Sequence, residues 1–265
     1  MRQILSTDNR IVKQAASLSE KKYRDALGMY LIEGPNFIRD ALTFGGRLRF
    51  IFIKAGTLSK DADDIAALAE EGGPAVITLS GAAFEKLSAT DTSQGIIAVA
   101  EKRTWTEGSF FSEEGSDILV LDRIQDPGNM GTMLRTAEAM GFGGALIMKG
   151  SCDIYGPKVV RAAAGSIFRL PVLFSETPEQ ALELLRSHGK RPYAAVMSGG
   201  TFCSEADLAK DAAIVIGNEG SGVCRQFLEG CEGLTIPMSG EIESLNAGLA
   251  AGMIMYEASR QRRCL

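Results

Sequence analysis

From residue 117 onward, continuous apolar runs alternate with segments in which apolar residues recur at helical spacing. Continuous apolar strands between helices are typical of a parallel sheet that is covered on both faces. Such sheets bind their ligands at the carboxyl ends of the strands, where the loops emerge. The strands predicted in this way cover residues 117–122, 144–149, 171–175, 193–198, 212–217 and 233–238.

The first hundred residues alternate in a similar way, and the alternation predicts a small α/β sandwich. The predicted helices cover residues 9–29, 36–45, 61–72 and 81–89, and the predicted strands cover 30–34, 49–55, 75–80 and 95–102. Residues 102–116 have no clear period and are rich in Ser, Gly and Glu, which is typical of a linker. The sequence therefore predicts two α/β domains, 1–101 and 117–265, joined by the linker 102–116.

Length and composition agree with two soluble domains. At about 150 residues per domain, a chain of 265 residues corresponds to two domains. No apolar run approaches the roughly 18 residues that a membrane-spanning helix needs. The first ten residues are polar and charged early, without the apolar core of a signal peptide. We therefore expect a cytoplasmic protein.

The cysteine and histidine content argues against several kinds of catalytic site. Five cysteines are spread along the chain without a C-x-x-C pair, a pattern that indicates free thiols rather than disulfides or a metal site. The one histidine, His188, lies in a polar connection between a predicted helix and a predicted strand. Serine–histidine catalysis is therefore not expected, and neither is a bound metal.

The charges are distributed unevenly, although the net charge of the chain is −5. Residues 1–54 contain ten Lys and Arg against five Asp and Glu, which gives +5 there and leaves −10 for the remainder. Such asymmetry can mark a segment that faces nucleic acid. The ordinary charges of solvated helices explain it about as well, so both interpretations stay open.

The first of three polar loops, "DPGNMGTMLRTAEAMG" at residues 126–141, follows the first strand of the second domain. Asn129 is predicted to cap the next helix through its side-chain oxygen. Arg135 lies one helical turn beyond Gly131, on the same helix face. It can serve a functional site or simply pair with Glu138, and the spacing alone favours the pairing. The order of the glycines differs from a dinucleotide-binding fingerprint.

The second loop, "GNEGSG" at residues 217–222, follows a buried predicted strand. Its exposed backbone N–H groups can bind a phosphate, but no lysine follows at the P-loop position, so Walker-type nucleotide binding is not expected. Glu219 has two interpretations. It is either an acid at a helix start, where the helix dipole favours it, or a carboxylate that faces a ligand.

The third loop follows the last predicted strand, which ends at Pro237 and Met238, and leads into a helix near Ser244. Ser244 is the predicted N-cap of that helix. Small residues occupy positions 247–252 except at Leu249. Glycine within a helix lowers its propensity, but small residues permit very close packing. We therefore expect another helix or subunit to pack against this segment.

Taken together, the three loops resemble those of one enzyme family. The patterns N-x-G-x-x-x-R (129–135), N-E-G (218–220) and I-P-M-x-G-x-x-E-S-L-N (236–246) occur in this order. They resemble the three motifs of the SpoU-type RNA 2′-O-ribose methyltransferases of the SPOUT class. The sequences "YLIEGPNFIRDAL" (30–42) and "SQGIIAVAEK" (93–102) are similar to the substrate-binding domain of that family, which has a ribosomal-protein-like α/β fold.

The resemblance implies an S-adenosylmethionine-dependent enzyme that methylates a ribose 2′-hydroxyl, with ribosomal RNA as the first expectation and transfer RNA as the alternative. It also implies a homodimer and a parallel α/β domain with a deep trefoil knot near the third motif, which general rules of chain topology would not suggest. The implied active-site residues are Asn129, Arg135, Glu219, Ser244 and Asn246. The implied cofactor-binding residues, which act largely through backbone groups, are Gly217, Ile236, Met238 and Leu245.

The role of Arg135 and the composition of the third motif leave alternatives open. In the family, the arginine that matches Arg135 has been proposed as the general base, but a guanidinium almost never loses its proton in a protein. The physical alternative is that Arg135 binds the adjacent phosphate and stabilises the developing alkoxide. Ala247 and Gly248 replace the usual valine and serine after Asn246, which alters packing without removing a catalytic group.

Two other classes of function compete with a methyltransferase. A non-catalytic RNA-binding assembly factor would keep the fold but not the chemistry, and the retention of the polar motif residues argues against it. A nucleotide-dependent oxidoreductase of the Rossmann type is opposed by the missing glycine fingerprint. The acidic total charge is unusual for an RNA enzyme and gives weight to the basic segment 1–54 as the RNA contact, with an affinity that falls as salt rises.

Overall fold

The computed structural model describes residues 2–57, 59–70, 73–90, 92–239 and 244–264. The chain forms two compact units. The first comprises the chain up to residue 103 together with residues 155–168, and the second comprises residues 104–154 together with the chain from residue 169. The sequence predicts a continuous division, whereas the structure assigns residues 155–168 to the first unit.

Strands and α-helices alternate through most of the described chain. The strands are β1 (Arg2–Ile4), β2 (Met29–Glu33), β3 (Leu48–Lys54), β4 (Ala75–Leu79), β5 (Ile96–Glu101), β6 (Ile118–Leu121), β7 (Gly144–Met148), β8 (Val172–Ser175), β9 (Arg191–Ala195), β10 (Thr201–Phe202), β11 (Ala212–Ile216) and β12 (Glu232–Thr235). The helices are α1 (Arg10–Ser17), α2 (Lys21–Leu27), α3 (Pro35–Thr43), α4 (Lys60–Glu70), α5 (Gly81–Glu85), α6 (Glu107–Phe110), α7 (Pro127–Ala139), α8 (Pro157–Ala162), α9 (Pro178–Ser187), α10 (Arg225–Gly230) and α11 (Ala247–Arg263). None of the helices in the described residues has the length and apolar character that crossing a membrane requires.

A mixed five-stranded sheet forms the first unit, in the order β1-β4-β3-β5-β2. β1, β4 and β3 are parallel, whereas β5 runs antiparallel to β3 and β2. Buried residues of α1 and α5 join those of the strands in an apolar core. This arrangement agrees with the predicted α/β sandwich and adds β1, a three-residue strand that is too short to show a hydrophobic pattern.

The helix predicted over residues 9–29 is in fact two helices, α1 and α2. Arg24 is buried in α2, and its Nη1 donates hydrogen bonds to the carbonyl oxygens of Leu18 and Ser19, at 2.7 Å each. These carbonyls lie between the two helices, so a side chain satisfies the groups that a continuous helix would have paired. The apolar spacing continues across this break, which is why the pattern predicts a single helix.

The second unit contains a seven-stranded sheet in the order β10-β12-β9-β11-β6-β7-β8. Its strand pairs are parallel throughout, which confirms the predicted parallel-sheet domain. β6, β7 and β11 are fully buried, as continuous apolar runs predict. Since the strands are parallel, the loops that follow β6, β11 and β12 leave the same edge of the sheet.

The segment predicted as a linker, residues 102–116, contributes to the core of the second unit. It contains α6, which starts with a capping box formed by Thr106 and Ser109. Phe110, at the end of this helix, is buried. A Cβ on Gly144 would lie 2.5 Å from the Phe110 ring, so the ring packs directly on the backbone of β7. A helix of four residues shows no period, and the pattern therefore missed it.

Candidate functional site

Side chains from the three polar loops meet at the carboxyl edge of the seven-stranded sheet. The first loop runs from β6 into α7, the second follows β11, and the third follows β12 and leads to α11. Asn129 of the first loop donates a hydrogen bond to Glu219 of the second and accepts one from Asn246 of the third. The middle of the third motif, residues 240–243, lies outside the described residues.

Glu219 is the acceptor at the centre of this network. Its Oε1 accepts hydrogen bonds from the Asp126 N–H and from Asn129 Nδ2, and its Oε2 accepts one from the Gln125 N–H, each at 3.1 Å. Burial opposes ionisation, but these hydrogen bonds outweigh it and lower the pKa of Glu219 below its ordinary value. The ionised carboxylate fastens the second loop to the segment that precedes α7.

Asp126, rather than the predicted Asn129, caps α7. Its Oδ1 accepts a hydrogen bond from the Asn129 N–H at 2.7 Å, and the helix starts at Pro127, a residue that suits the first helical position because it lacks an N–H. Asn129 is therefore free to bond Glu219 and Asn246 with its amide. The helix dipole favours a carboxylate at this end. Glu219 therefore acts as an acid at the start of a helix, but the helix is α7, which is distant from Glu219 in sequence.

Asn246, rather than the predicted Ser244, caps α11. Its Oδ1 accepts a hydrogen bond from the Leu249 N–H at 3.1 Å, and its Nδ2 donates one to Asn129 Oδ1 at 3.0 Å. One amide thus caps α11 with its oxygen and reaches α7 with its nitrogen. Ser244 is exposed before the cap. Both residue types are good N-caps, so residue type alone did not identify the right one.

Two glycines permit close approaches in this site. A Cβ on Gly248 would lie 3.2 Å from both Asn129 Oδ1 and Asn246 Oδ1, where α7 and α11 pack against each other. The small residues at the start of α11 therefore do permit close packing, between these two helices. A Cβ on Gly217 would lie 2.1 Å from the Val223 nitrogen, because the second loop folds back onto its own start.

Sequence reasoning missed Asp122 and Arg123, which anchor the second loop. Asp122, buried after β6, accepts hydrogen bonds from Arg123 Nε at 2.9 Å and from the Cys224 N–H at 2.7 Å. Arg123 also donates to the Gly222 carbonyl at 3.2 Å, and its own carbonyl accepts from Asn218 Nδ2 at 3.0 Å. Its φ of 57° is a left-handed conformation that disfavours a side chain, and these bonds offset that cost. An aspartate directly after a buried strand is the one sequence signal for this anchor.

Arg135 is exposed on α7 and does not form the predicted alternative pair with Glu138. Glu138 binds Arg169 instead, with Arg169 Nη2 donating to its Oε2 at 3.1 Å. Within the described parts of the chain, no side-chain or backbone group forms a hydrogen bond or ion pair with the Arg135 guanidinium. The guanidinium is therefore open to a ligand, and its position on the helix that carries Asn129 keeps it beside the network.

An apolar cleft with a cavity volume of about 100 Å³ lies where the third loop leaves β12. Three of the predicted cofactor-binding residues, Ile236, Met238 and Leu245, line it together with Ser244. Its remaining walls are Ala195, Val196, Met197, Leu234, Ala250 and Ile254. Ligand sites are mostly apolar with a few polar groups, and these walls fit an adenosyl group that is held through backbone atoms. Gly217 is not among the residues that line the cleft.

An open groove along α7 and α11 carries exposed apolar side chains. Leu249, Met253 and Tyr256 follow one another at helical spacing on α11, and their exposed fractions are 56%, 43% and 60%. A contiguous apolar patch of this kind marks an interaction surface more often than a free one. Among the residues that the structure describes, no group of three or more His, Cys, Asp or Glu side chains could hold a metal ion.

Known proteins match both parts of the chain. Residues 117–256 match the SpoU rRNA Methylase family, and residues 9–98 match the MRM3-like substrate binding domain. The 23S rRNA (guanosine(2553)-2′-O)-methyltransferase RlmP of Bacillus subtilis is 34% identical over 260 residues, which cover 97% of this chain and 98% of that protein.

Solved structures of the same family are similar over the whole chain. The AdoMet-bound rRNA methyltransferase of Sinorhizobium meliloti has a TM-score of 0.88 at 28% identity, covering 98% of this chain and 97% of that one. The SpoU methyltransferase AviRb of Streptomyces viridochromogenes, in complex with AdoMet, has a TM-score of 0.88 at 27% identity, covering 96% of this chain and 98% of that one. The resemblance inferred from the three motifs is thereby confirmed: the chain belongs to the SpoU rRNA methylase family.

Proposed function

We propose that this protein transfers a methyl group from S-adenosylmethionine to a ribose 2′-hydroxyl of ribosomal RNA. The observation that carries this proposal is the junction of three loops at one sheet edge, where Glu219, Asn129 and Asn246 are joined by hydrogen bonds. The guanidinium of Arg135, which has no hydrogen-bond or ion-pair partner among the described residues, and the apolar cleft complete the set of groups that the reaction needs. The name of the Bacillus subtilis relative and the AdoMet in two related structures support it.

The cleft of Ile236, Met238 and Leu245 would hold the adenosyl part of the cofactor, with backbone groups as its polar partners. When bound, S-adenosylmethionine supplies a methyl group on a sulfonium cation. The apolar walls exclude water, so that the ribose hydroxyl rather than water faces the methyl group. Gly217 acts indirectly in this proposal, because it lets the second loop fold back tightly at the end of β11.

Arg135 binds the phosphate beside the target ribose and stabilises the negative charge that develops on the 2′-oxygen. A guanidinium offers a planar fork of donors that matches a phosphate, and donors placed where charge develops lower the barrier most effectively. It does not act as the general base, since its proton is retained in proteins. As the new carbon–oxygen bond forms and the bond from the methyl group to sulfur breaks, the 2′-hydroxyl proton would pass to solvent, to which Arg135 is exposed. Ser244, exposed on the wall of the cleft, and Asn246 present the polar groups that orient the ribose.

Glu219 and Asn129 are positioning residues in this proposal. Glu219 fixes the start of α7 by accepting two backbone N–H groups, and Asn129 connects that carboxylate to the cap of α11. The network therefore fixes the first turns of the two helices that carry Arg135 and Asn246. Positioning of reacting groups is a large part of catalysis when the chemistry joins two bound molecules.

The proposal extends to the organisation of the protein. Residues 1–101 serve as an RNA-binding domain of ribosomal-protein-like fold, residues 102–116 connect it, and residues 117–265 form the methyltransferase domain with a trefoil knot around the third motif. Two copies associate through the apolar patch of α11, which would otherwise stay exposed to water. The match of residues 9–98 to a substrate-binding domain supports the first assignment, and the proposed ribosomal RNA substrate supports a cytoplasmic location.

The test is to map 2′-O-methylation across cellular RNA with and without the gene. We expect one ribosomal RNA ribose to lose its methyl group and the purified protein to restore it in vitro. A loss confined to transfer RNA would select the alternative substrate. Unchanged maps, together with cofactor binding but no methyl transfer to RNA, would contradict the proposal and support a non-catalytic assembly factor.

A further inference from the structure

The first unit contains a pocket that the proposed methyl transfer does not use. It is enclosed by the end of α1, by β2 and α3, by residues 86–89 after α5, and by α8, all of which belong to this unit. Its cavity volume of about 180 Å³ is smaller than that of a site for a drug-sized ligand, which limits the occupant to a small group such as a single ring system. We call it the Glu33 pocket, after the carboxylate in its wall.

The apolar walls of the Glu33 pocket suit a flat ring. Leu31, Phe37 and Val160 face it, and Phe37 is half-buried, so that part of its ring remains open for stacking. Sequence-specific recognition of RNA commonly uses unpaired bases, which stack on aromatic side chains and form hydrogen bonds along their edges. The apolar walls and the half-buried aromatic ring are therefore those that a single unpaired base needs.

Glu33 can recognise the edge of such a base. Its Oε1 accepts hydrogen bonds from Ser88 Oγ at 2.8 Å and Thr90 Oγ1 at 2.6 Å, and its Oε2 accepts one from the Ala89 N–H at 2.9 Å. The Ser93 hydroxyl is a fourth donor to this carboxylate, which has about four acceptor positions, so an amino or imino N–H of a base would bind by displacing one of the hydroxyls. Burial opposes ionisation, but hydrogen bonds from the surrounding hydroxyls and the Ala89 N–H lower the pKa of Glu33.

Two cations that form no ion pair with any described carboxylate line the pocket. Lys86 and Arg161 are both exposed. Their hydrogen bonds are long ones, from Lys86 Nζ to the Thr7 carbonyl and from Arg161 Nη2 to the Ala89 carbonyl, at 3.4 Å each. Over the described ranges of the chain, neither forms an ion pair. Both side chains are therefore available to a phosphate.

The basic segment 1–54 offers fewer free charges than its composition suggests. Five of its ten cations form ion pairs with carboxylates, namely Lys13, Lys22, Arg39, Arg49 and Lys54. A sixth, Arg24, is buried. The unpaired cations beside the Glu33 pocket are thus better placed to bind RNA than most of the cations that produce the charge asymmetry.

We infer that the Glu33 pocket binds one unpaired nucleotide of the RNA, with the base on Phe37, its N–H edge on Glu33, and a flanking phosphate on Lys86 and Arg161. This inference rests on the proposed function, because it takes RNA as the substrate. The pocket belongs to the first unit, whereas the groups proposed for methyl transfer belong to the second. The first unit would therefore select RNA by reading a base.

Filling the pocket tests this inference in the full-length protein. Ser19 is exposed on the pocket wall, so Ser19→Trp places an indole in the pocket. The probe is a short, fluorescently labelled single-stranded RNA of mixed sequence, and its affinity is measured by anisotropy at several salt concentrations. We expect Ser19→Trp to weaken binding about tenfold without changing the salt dependence. Gln14→Trp, exposed on α1 outside the pocket, is the matched control and should bind as the wild type does.

Removing the two cations tests the phosphate contact separately. Each of Lys86→Gln and Arg161→Gln should reduce the slope of log affinity against log salt by about 1. Arg47→Gln removes an exposed cation that does not line the pocket, and it should leave the slope unchanged. These changes affect only exposed side chains, so we expect them to leave the fold intact. If Ser19→Trp lowers the thermal midpoint, the two cation variants still test whether the pocket binds RNA.

Methylation assays on the same preparations separate the two proposals. If the wild type methylates ribosomal RNA while Ser19→Trp and Gln14→Trp bind the probe equally, the pocket inference is overturned and the proposed function stands. Equal salt slopes for Lys86→Gln, Arg161→Gln and Arg47→Gln would overturn the phosphate contact. If the wild type methylates no RNA but Ser19→Trp still loses probe binding, the pocket inference stands and the proposed function fails.

Discussion

Glu219 and Arg135, the two charged side chains that the motifs place in the site, are held in very different ways. Glu219 accepts three hydrogen bonds, two from backbone N–H groups and one from Asn129. Arg135 is exposed, and no described residue contacts its guanidinium through a hydrogen bond or ion pair. A carboxylate that is already satisfied shapes the site, whereas an unpaired cation is available to a phosphate. Loss of Arg135 should therefore affect activity alone, and loss of the Glu219 network should affect both activity and stability.

The largest effect is expected for Arg135→Ala. We expect kcat to fall by about 10²–10³, the usual cost of removing one donor that stabilises developing charge. Since Arg135 is exposed and pairs with none of the residues that the structure describes, the free energy of unfolding should change by less than about 0.5 kcal/mol. Methyl-transfer rates and thermal midpoints measured on one preparation check both statements, and a lowered midpoint would contradict the contrast with Glu219.

Arg135→Lys is the matched control for the role of the guanidinium. It keeps the positive charge but removes the planar fork, which a bidentate phosphate contact needs. We expect most of the activity to be lost. An activity close to that of the wild type would show that a point charge is sufficient, and it would exclude the bidentate contact with the phosphate.

The next largest effect is expected for Asn129→Asp, which replaces one hydrogen bond of the network with a repulsion between like charges. The Nδ2 group that donates to Glu219 Oε1 at 3.1 Å becomes a carboxylate oxygen, and two like charges then face each other. We expect a loss of activity of about tenfold to a hundredfold through displacement of α7. Because such a pair binds a proton more readily than a single carboxylate, activity relative to the wild type should recover as the pH falls.

Asn129→Ala supplies the control for this pH dependence. It removes both side-chain hydrogen bonds of Asn129 but adds no charge, so its activity relative to the wild type should not depend on pH. Equal pH profiles for the two variants would show that the carboxylate at this position is not repelled by Glu219. The hydrogen bond from Asn129 to Glu219 would then be contradicted.

A smaller effect is expected for the contribution of Glu219 to stability. The pKa of Glu219 is lowered in the folded protein from an ordinary value of 4.5. Ionisation of this carboxyl group is therefore more favourable in the folded protein than in the unfolded chain, and the ionised form stabilises the fold. The advantage of the wild type over Glu219→Gln should be fully present above pH 4.5 and should disappear as the pH falls through the lowered pKa. Thermal midpoints of both proteins between neutral and acidic pH measure it, and a pH-independent difference would contradict it.

The parallel sheet could be predicted from the sequence because its strands are short apolar runs bounded by turn residues. The predicted strand 212–217, for example, corresponds to β11 at Ala212–Ile216. β10 has two residues and α6 has four, and elements of this length carry no hydrophobic period. Their positions depend on contacts such as the packing of Phe110 on β7, which the local sequence does not encode.

The residues of the site could be predicted more accurately than their hydrogen bonds. Asp126 and Asn129 are both favourable N-caps, as are Ser244 and Asn246, and local propensity does not choose between them. The choice depends on partners that are distant in sequence. Asn129 bonds Glu219 across 90 residues, which leaves the cap of α7 to Asp126. Arg123 was missed for a related reason, because its role follows from its left-handed backbone and from a loop almost 100 residues away.

The smallest effect is expected for Gly248→Ala, where the usual serine of the family is replaced by glycine. The new Cβ would lie 3.2 Å from both Asn129 Oδ1 and Asn246 Oδ1, so the hydrogen bond between these two side chains must lengthen. Helix propensity favours alanine over glycine by about 0.8–1.0 kcal/mol, which offsets the crowding. We therefore expect the unfolding free energy to stay within about 0.5 kcal/mol of the wild type, while kcat falls a few-fold.

Gly252→Ala is the matched control on the same helix, because its Cβ would meet Thr136 Cγ2 at an ordinary 3.9 Å. If Gly252→Ala gains stability and keeps its activity while Gly248→Ala loses activity, the loss comes from crowding at the contact between the two asparagines. Equal losses of activity in the two variants would instead show that the loss comes from filling the groove between α7 and α11.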